Sequence, residues 1–402
     1  MRPRTSDTFQ LPRLSVQHLK SRALDYMLSR AIEMTEERRA QLVANVLAIT
    51  AIPTFAISWR FWTPYRTFPT VPYIPGLHPT QFSVVVLVMA CAGLVLACAP
   101  KHRPLGLATF ILCLCFLVLE DQSRLQPYIY VEVIVAIGLF HHAVKGGELN
   151  ALRVATVFVY LWAGIHKLNV HYFDEVFPWV FFSPRITHWL SFLEYHPTVV
   201  RTMALSSALL EVSAAAFLLL RKTRAVGVIA VATIHVVALL LIGPIGMQFA
   251  PVVWPWNLAM VAYVLVLFWN FDSPILHVRD PAHALTVVLF GMLPVLNLFS
   301  WWDAYLSFHA FSGAHVDASL QIPDGKESEL PPAARRVLYK HRVSFDGWSM
   351  SDTKASAYPA ERVYRSIFRQ TCKKAPDAEL VIVGKPEWPS GRTSETVEKC
   401  PQ

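Results

Sequence analysis

The sequence predicts an all-α polytopic membrane protein with about nine transmembrane helices and a small α+β C-terminal appendage. Three observations carry this. Of 402 residues, 54% are hydrophobic and only 16% are charged, where a soluble domain carries about 25% charged residues. The apolar residues come in runs long enough to cross a bilayer, which takes about 20 residues per helix. Residues 305–402 form the only sizeable polar stretch.

The formal charge is +8. The basic residues crowd into an N-terminal arm, short inter-helix turns and the tail, which is how orientation signals are distributed. No nucleic-acid-binding module is legible, so no nucleic-acid partner is expected.

Residues 1–40 are basic and broken by prolines. Val16 to Arg39 reads as a helix, with Leu19, Leu24, Met27 and Ile32 on an amphipathic face, lying at the cytoplasmic interface. The first apolar run comes too late for a cleaved signal peptide. Residues 41–304 read as the transmembrane domain, with spans at about 41–59, 81–99, 104–121, 128–143, 151–170, 198–220, 224–243, 252–271 and 284–302. The positive-inside rule puts the N-terminus in the cytoplasm. Lys101–Arg103, Lys145 with Arg153, Arg221–Arg224, and His277 with Arg279 then share that side. Nine crossings place the tail outside, beyond the inner membrane if the cell is bacterial. Two outer loops, TPYRTFPTVPYIPGLHP and FDEVFPWVFFSPRITHWLSF, are expected to lie as re-entrant or interfacial pieces capping a cavity.

In residues 305–402, Val337–Tyr339 and Glu361–Cys372 read as helices and Leu380–Val383 as a strand. At about 90 residues this region is near the lower limit for an independent core. Cys372 and Cys400 would form a disulfide in an extracytoplasmic tail. The other four of the six cysteines sit in apolar runs as small core residues. No spacing matches a metal site, and no glycine-rich phosphate loop or internal repeat is visible.

Ionisable groups inside spans are costly and become functional candidates. Lys167 ends the fifth span. It reads either as an anchor snorkelling to the interface or as a desolvated amine acting as a base. Tyr160, Gly164 and Lys167 share one helical face, and Gly164 leaves room for a helix or a ligand. His166 lies about 100° round the helix from Lys167, as an interfacial ring or a partner. His235, mid-span, is either functional or a satisfied structural histidine that bonds a neighbouring carbonyl, and Glu211, four residues after Ser207, is either functional or a helix–helix hydrogen-bonding residue. Glu132 is a candidate counter-ion for Lys167 or Arg124. Asp121 and Arg124 read as a solvated loop pair.

VYLWAGIHKLNVHYF resembles the glycine-containing helix, lysine-leucine pair and aromatic of vitamin K-dependent gamma-carboxylase and its bacterial relatives, the horizontally transferred transmembrane domain (HTTM) family. LLEVSAAAFLLLRKTRAVGVIAVATIHVVALLLIGPIGM and LPVLNLFSWWDAYLSF are similar to two further stretches of that family, in the same order. The resemblance covers roughly residues 40–310. It implies Lys167 as the base that starts oxygenation of a reduced quinol, and His235 as a membrane histidine of the site. In SRLQPYIYVEV it places Gln126 at the family's asparagine, and Pro127 or Tyr128 where the family has a catalytic histidine.

The expected function is a quinol-dependent oxygenation- or carboxylation-type membrane enzyme, a carboxylase-like lyase or oxidoreductase. Its cofactor would be reduced vitamin K or another quinol, with no metal. Its partners would be membrane lipid, a lipophilic small molecule and a protein or peptide substrate. The alternative is a non-catalytic membrane maturation or binding factor on the same scaffold. A transporter is disfavoured, because no inverted repeat or paired broken helices are visible.

Overall fold

The computed structural model describes residues 34–276, 281–387 and 390–401. The amphipathic face at Leu19, Leu24, Met27 and Ile32, and the loop residues His277 and Arg279, lie outside the described residues.

All nine apolar runs are helical. Helix α1 (Glu36–Ile57) starts five residues before the first apolar run, because Thr35 caps it by accepting from the Arg38 amide. Glu36 and Glu37 in its first turn complement the helix dipole. Helix α2 (Gln81–Ala97) opens on a reciprocal capping box between Thr80 and Ser83. There follow α3 (Arg103–Glu120), α4 (Pro127–Lys145) and α5 (Asn150–His166). The segment after α5 is a π-helical turn (Tyr172–Val176), the short α6 (Phe177–Phe182) and a 3-10 stretch (His188–Tyr195). Then come α7 (Pro197–Leu219), α8 (Arg224–Ile242) and α9 (Val253–Phe268). The last run is not one regular helix. Its α10 (Pro281–Thr286) passes into a π-helical stretch (Val287–Met292) and a 3-10 stretch (Leu293–Phe299), where Pro294 supplies no amide to the ladder.

Among the described residues, five helical segments are long and apolar enough to cross a membrane: Glu36–Ile57, Pro100–Glu120, Pro127–Lys145, Pro197–Leu219 and Arg221–Ile242. Small residues let neighbouring helices pack closely. A Cβ on Gly106 would sit 2.5 Å from the Ala97 amide and from the Gly93 carbonyl, so α2 and α3 touch backbone to backbone.

The appendage is a five-stranded antiparallel sheet in the order β2-β3-β1-β4-β5. Its strands are β1 (Asp317–Gln321), β2 (Leu338–Tyr339), β3 (Arg342–Ser344), β4 (Glu379–Val383) and β5 (Glu395–Lys399). The helices are α11 (Pro332–Arg335), α12 (Phe345–Thr353) and α13 (Glu361–Cys372). Val337–Tyr339 is therefore not a helix; Leu338 and Tyr339 pair with Val343 and Arg342. The apolar stripe of α13 (Val363, Tyr364, Ile367, Phe368) is buried in a core with Leu320, Trp348 and Leu380. A disulfide joins Cys372, at the end of α13, to Cys400, just after β5, with Cα atoms 5.6 Å apart.

The loop between α1 and α2 does not cap a membrane cavity. Phe68 and Val71 complete the appendage core, and Phe68 meets Trp348 edge-on at 5.3 Å. The Asp352 carboxylate accepts from the Thr67 and Phe68 amides at 2.5 and 2.7 Å. Asp121 and Arg124 are not a solvated pair either, since both are fully buried. Arg124 donates to Glu120 at 2.9 Å and to the Leu117 carbonyl at 2.7 Å, while Asp121 pairs with Arg66. Buried charges must find partners, and here these come from a loop whose docking is invisible in the local sequence.

Candidate functional site

Helices α5, α7, α8 and α9 and the segment after α5 line a cavity of about 530 Å³, together with Ala310 and Phe311. Its walls are mostly apolar, from Val159 and Val180 to Leu210 and Leu241. Its polar groups are few and clustered. Lys167, just past the end of α5, donates from Nζ to Glu211 Oε1 of α7 at 2.5 Å. Both side chains are largely buried, at 12% and 10% exposed. The other carboxylate oxygen, Glu211 Oε2, is buried with no protein partner.

Gly164 creates this contact. A Cβ there would lie 2.8 Å from the Ala208 carbonyl and 2.9 Å from the Val212 amide. The room beside Gly164 is taken by α7, and that close approach delivers Glu211 to Lys167.

His235 of α8 lines the same cavity. Its Nδ1 meets Asn257 Oδ1 at 2.7 Å, and the Asn257 amide is oriented by donating to the Val253 carbonyl at 2.7 Å. Nδ1 is therefore the donor, and Nε2 accepts from the Tyr160 hydroxyl at 2.9 Å. Both ring nitrogens are occupied. Nearby, Tyr172 bonds Ser207 at 2.8 Å. The cavity thus joins Lys167, Glu211 and His235 with Tyr160, Asn257 and Tyr172. The last three were not singled out from sequence as site residues. Asn257 had a usable signal, a polar amide inside an apolar run.

The remaining candidates lie elsewhere. Glu132 is not a counter-ion to Lys167 or Arg124, whose acids are Glu211 and Glu120. It is 3% exposed, and its Oε2 has no partner. Gln126 immediately precedes α4, and its side chain donates to the Ser123 and Ser356 carbonyls at 2.8 and 2.9 Å. His166 is buried at 4% exposure, not interfacial. Its ring lies 3.5 Å from that of His309 and 5.5 Å from that of Trp162.

A second chamber, also about 530 Å³, lies between the helices and the appendage. Gln126, Tyr128, His309, Asp317 and Asp346 line it, and it shares Trp256, Ala310 and Phe311 with the apolar cavity. Burial holds His309 well below the usual histidine range, helped by the charges of His166, Lys385 and His315. Its Nδ1 bonds Ser312 Oγ at 2.8 Å, and its Nε2 has no partner. Among the described residues, no group of three or more His, Cys, Asp or Glu side chains is placed to hold a metal ion.

Compared with models of protein families, with curated proteins and with solved structures, the chain matches none.

Proposed function

We propose that the chain is a membrane enzyme that takes a proton from a quinol-like lipophilic substrate held in the apolar cavity. The observation carrying this is a buried, neutral-overall acid–amine pair in a chamber otherwise built for hydrocarbon. A prenylated ring fits the mostly apolar lining, with Lys167, Glu211 and the Tyr160–His235–Asn257 chain at its polar side. A reduced quinone bound there would supply the hydroxyl whose deprotonation opens oxygenation- or carboxylation-type chemistry.

The chain's own part is proton handling. As an ammonium, Lys167 has no lone pair to offer. Passing one proton across the 2.5 Å bond to Glu211 frees the lone pair of Nζ, which then takes the substrate proton. The pair ends as ammonium beside a protonated carboxyl, one proton richer. His235, fixed as the Nδ1–H tautomer, positions the Tyr160 hydroxyl. The apolar walls exclude water from the reacting centre.

The membrane arrangement that goes with this reading has nine crossings, the N-terminus in the cytoplasm and the appendage outside. The closed Lys167–Glu211 bridge favours a second reading, a non-catalytic factor that binds a lipophile in the same cavity. Lys167→Met, shown to insert normally, distinguishes the two when quinol oxidation is followed in membranes. The enzyme reading expects turnover to vanish while a photoreactive prenylquinone still labels the cavity. Unchanged turnover removes it. For topology, an impermeant thiol reagent should reach Cys372 or Cys400 from outside after reduction; labelling only after lysis defeats the nine-span arrangement.

A further inference from the structure

The apolar cavity has a buried end and an exposed one. Its polar groups Tyr160, Glu211, His235 and Asn257 are all buried. The lining residues that open outward all belong to α7 or α8. Leu210 and Val237 are both 41% exposed, and Thr202, Ser206 and Thr233 are exposed with them. These positions run from the middle of each helix toward the end remote from the turn that joins the two. At the turn itself the helices are closed on each other, since a Cβ on Gly227 would lie 2.6 Å from the Leu218 amide. The cavity therefore has a side mouth between α7 and α8.

Both helices lie in segments long and apolar enough to cross a membrane, Pro197–Leu219 and Arg221–Ile242. In a bilayer such a mouth opens on hydrocarbon, not on water. Two hydroxyls of its rim suit that setting. Thr202 donates to the Thr198 carbonyl and Ser206 to the Thr202 carbonyl, each at 2.7 Å, so neither leaves an unbonded donor facing lipid. Another way out of the cavity runs past Trp256, Ala310 and Phe311 to the second chamber, which Glu175, Asp317 and Asp346 line. A hydrocarbon chain placed there would strip water from carboxylates and give them nothing back. The cavity's volume of about 530 Å³ suits a ring with short substituents, so a long chain has to leave it.

We propose that the ligand is a membrane-dissolved amphiphile whose polar ring sits against Lys167, Glu211 and His235 and whose hydrocarbon chain leaves through the mouth between α7 and α8 into the bilayer. Such a ligand enters sideways from the membrane. Leu210 and Val237 flank the path of its chain and discriminate between chain-bearing and chainless rings. This rests on the reading that the cavity holds a lipophile, and it is independent of whether Lys167 acts as a base.

The test uses the full-length protein in phosphatidylcholine nanodiscs and two tritiated naphthoquinones, one with methyl substituents only and one with a long isoprenoid chain. Binding is the fraction displaced by excess unlabelled compound. A version of the second compound, with a diazirine a short way along its chain, maps the exit by mass spectrometry. Displaceable label should fall on α7 and α8 around Ser206, Leu210 and Val237. Leu210→Trp with Val237→Trp should weaken the chain-bearing quinone about tenfold and leave the chainless one within about twofold of wild type. Label falling on the second chamber, at His171 or Gly313, or a double variant that binds the chain-bearing quinone like wild type, would overturn the proposal while leaving a lipophile in the cavity. Displaceable binding of neither quinone would remove the lipophile reading itself, and the proposal with it. The wild-type label map decides the exit even where the variant fails to fold.

Discussion

Two of the places where the helical body buries charge are finished differently. At the end away from the appendage, Arg39, Arg153 and Arg224 converge on the Phe271 ring, at 5.8, 3.5 and 5.3 Å. Their donors cover carbonyls that the ends of α9 and α7 leave open. Arg39 reaches Trp269 at 3.0 Å, Arg153 reaches Leu267 at 2.8 Å, and Arg224 reaches Leu218 at 3.0 Å. Glu36 adds a 2.6 Å bond to Arg153. Helix C-termini expose four carbonyls and a negative dipole end, and cationic donors answer both. None of the buried polar atoms of these three arginines lacks a partner.

The apolar cavity is the opposite case. Lys167 and Glu211 satisfy each other at one oxygen, while Glu211 Oε2 and Trp256 Nε1 remain open. Charge that is fully bonded to backbone holds helices together. Under the proposed function, charge that keeps an open atom beside an apolar chamber is arranged for a ligand. The fold tolerates the second only because the neighbouring helices fix its geometry.

The largest expected effect breaks the cavity side of this contrast. Lys167→Met should abolish quinol turnover and also destabilise by about 3–5 kcal/mol, because it strands a buried carboxylate. The double variant Lys167→Met with Glu211→Leu removes both charges. It should recover most of the thermal midpoint without recovering turnover. Recovery of both would make the pair a purely structural bridge. On the other side, Arg153→Ala loses a buried ion pair, the Leu267 carbonyl bond and the Phe271 contact. A loss of about 3 kcal/mol is expected, with prenylquinone labelling of the cavity retained in the folded fraction.

Gly164→Ala sharpens the contrast from within. The new methyl meets the backbone of α7 at 2.8–2.9 Å, which should cost about 1–3 kcal/mol. Because the helix must move, Glu211 moves with it, and turnover should fall more than stability alone accounts for. A fall in melting temperature with unchanged turnover would show that Glu211 does not need its present place.

Much of the helical body was legible because apolar run length is a one-dimensional signal. What escaped was set by pairing across the chain. Glu132 and Glu211 are both lone acids in apolar runs, and nothing in either run says which faces Lys167; the close approach of α5 and α7 at Gly164 decides it. Asp121 looked solvated until Arg66, 55 residues earlier, covered it. In the appendage, the α13 stripe announces a helix, while β1 (DASLQ) and β5 (ETVEK) are polar and become strands through pairing, β1 with β3 and β4 and β5 with β4. Lys167 and His235 were readable as costly residues, but the Tyr160–His235–Asn257 chain joins three helices and is visible only in three dimensions.

The smallest effect concerns how the appendage is held over both chambers. Arg362 of α13 grips Asp303 through two hydrogen bonds of 2.7 and 2.5 Å and also reaches Gln122 at 3.0 Å. Tyr358 adds a 2.8 Å bond to the same carboxylate. Burial alone would raise the Asp303 carboxyl, but the hydrogen bonds from Arg362 and Tyr358 and the Arg362 charge outweigh it and hold it below its ordinary value of 3.8. A carboxyl depressed in the folded state contributes stability that is complete above the unfolded value and is lost as pH falls through the folded one. Docking should therefore be constant from pH 7 down to about 5 and weaken below about 4. Arg362 is half exposed, so screening limits the contribution to about 1 kcal/mol. Asp303→Asn should melt slightly earlier at neutral pH and should lack this part of the acid-side decline. A variant whose melting follows the wild-type curve in parallel at every pH would show that the carboxylate's charge takes no part in holding the appendage.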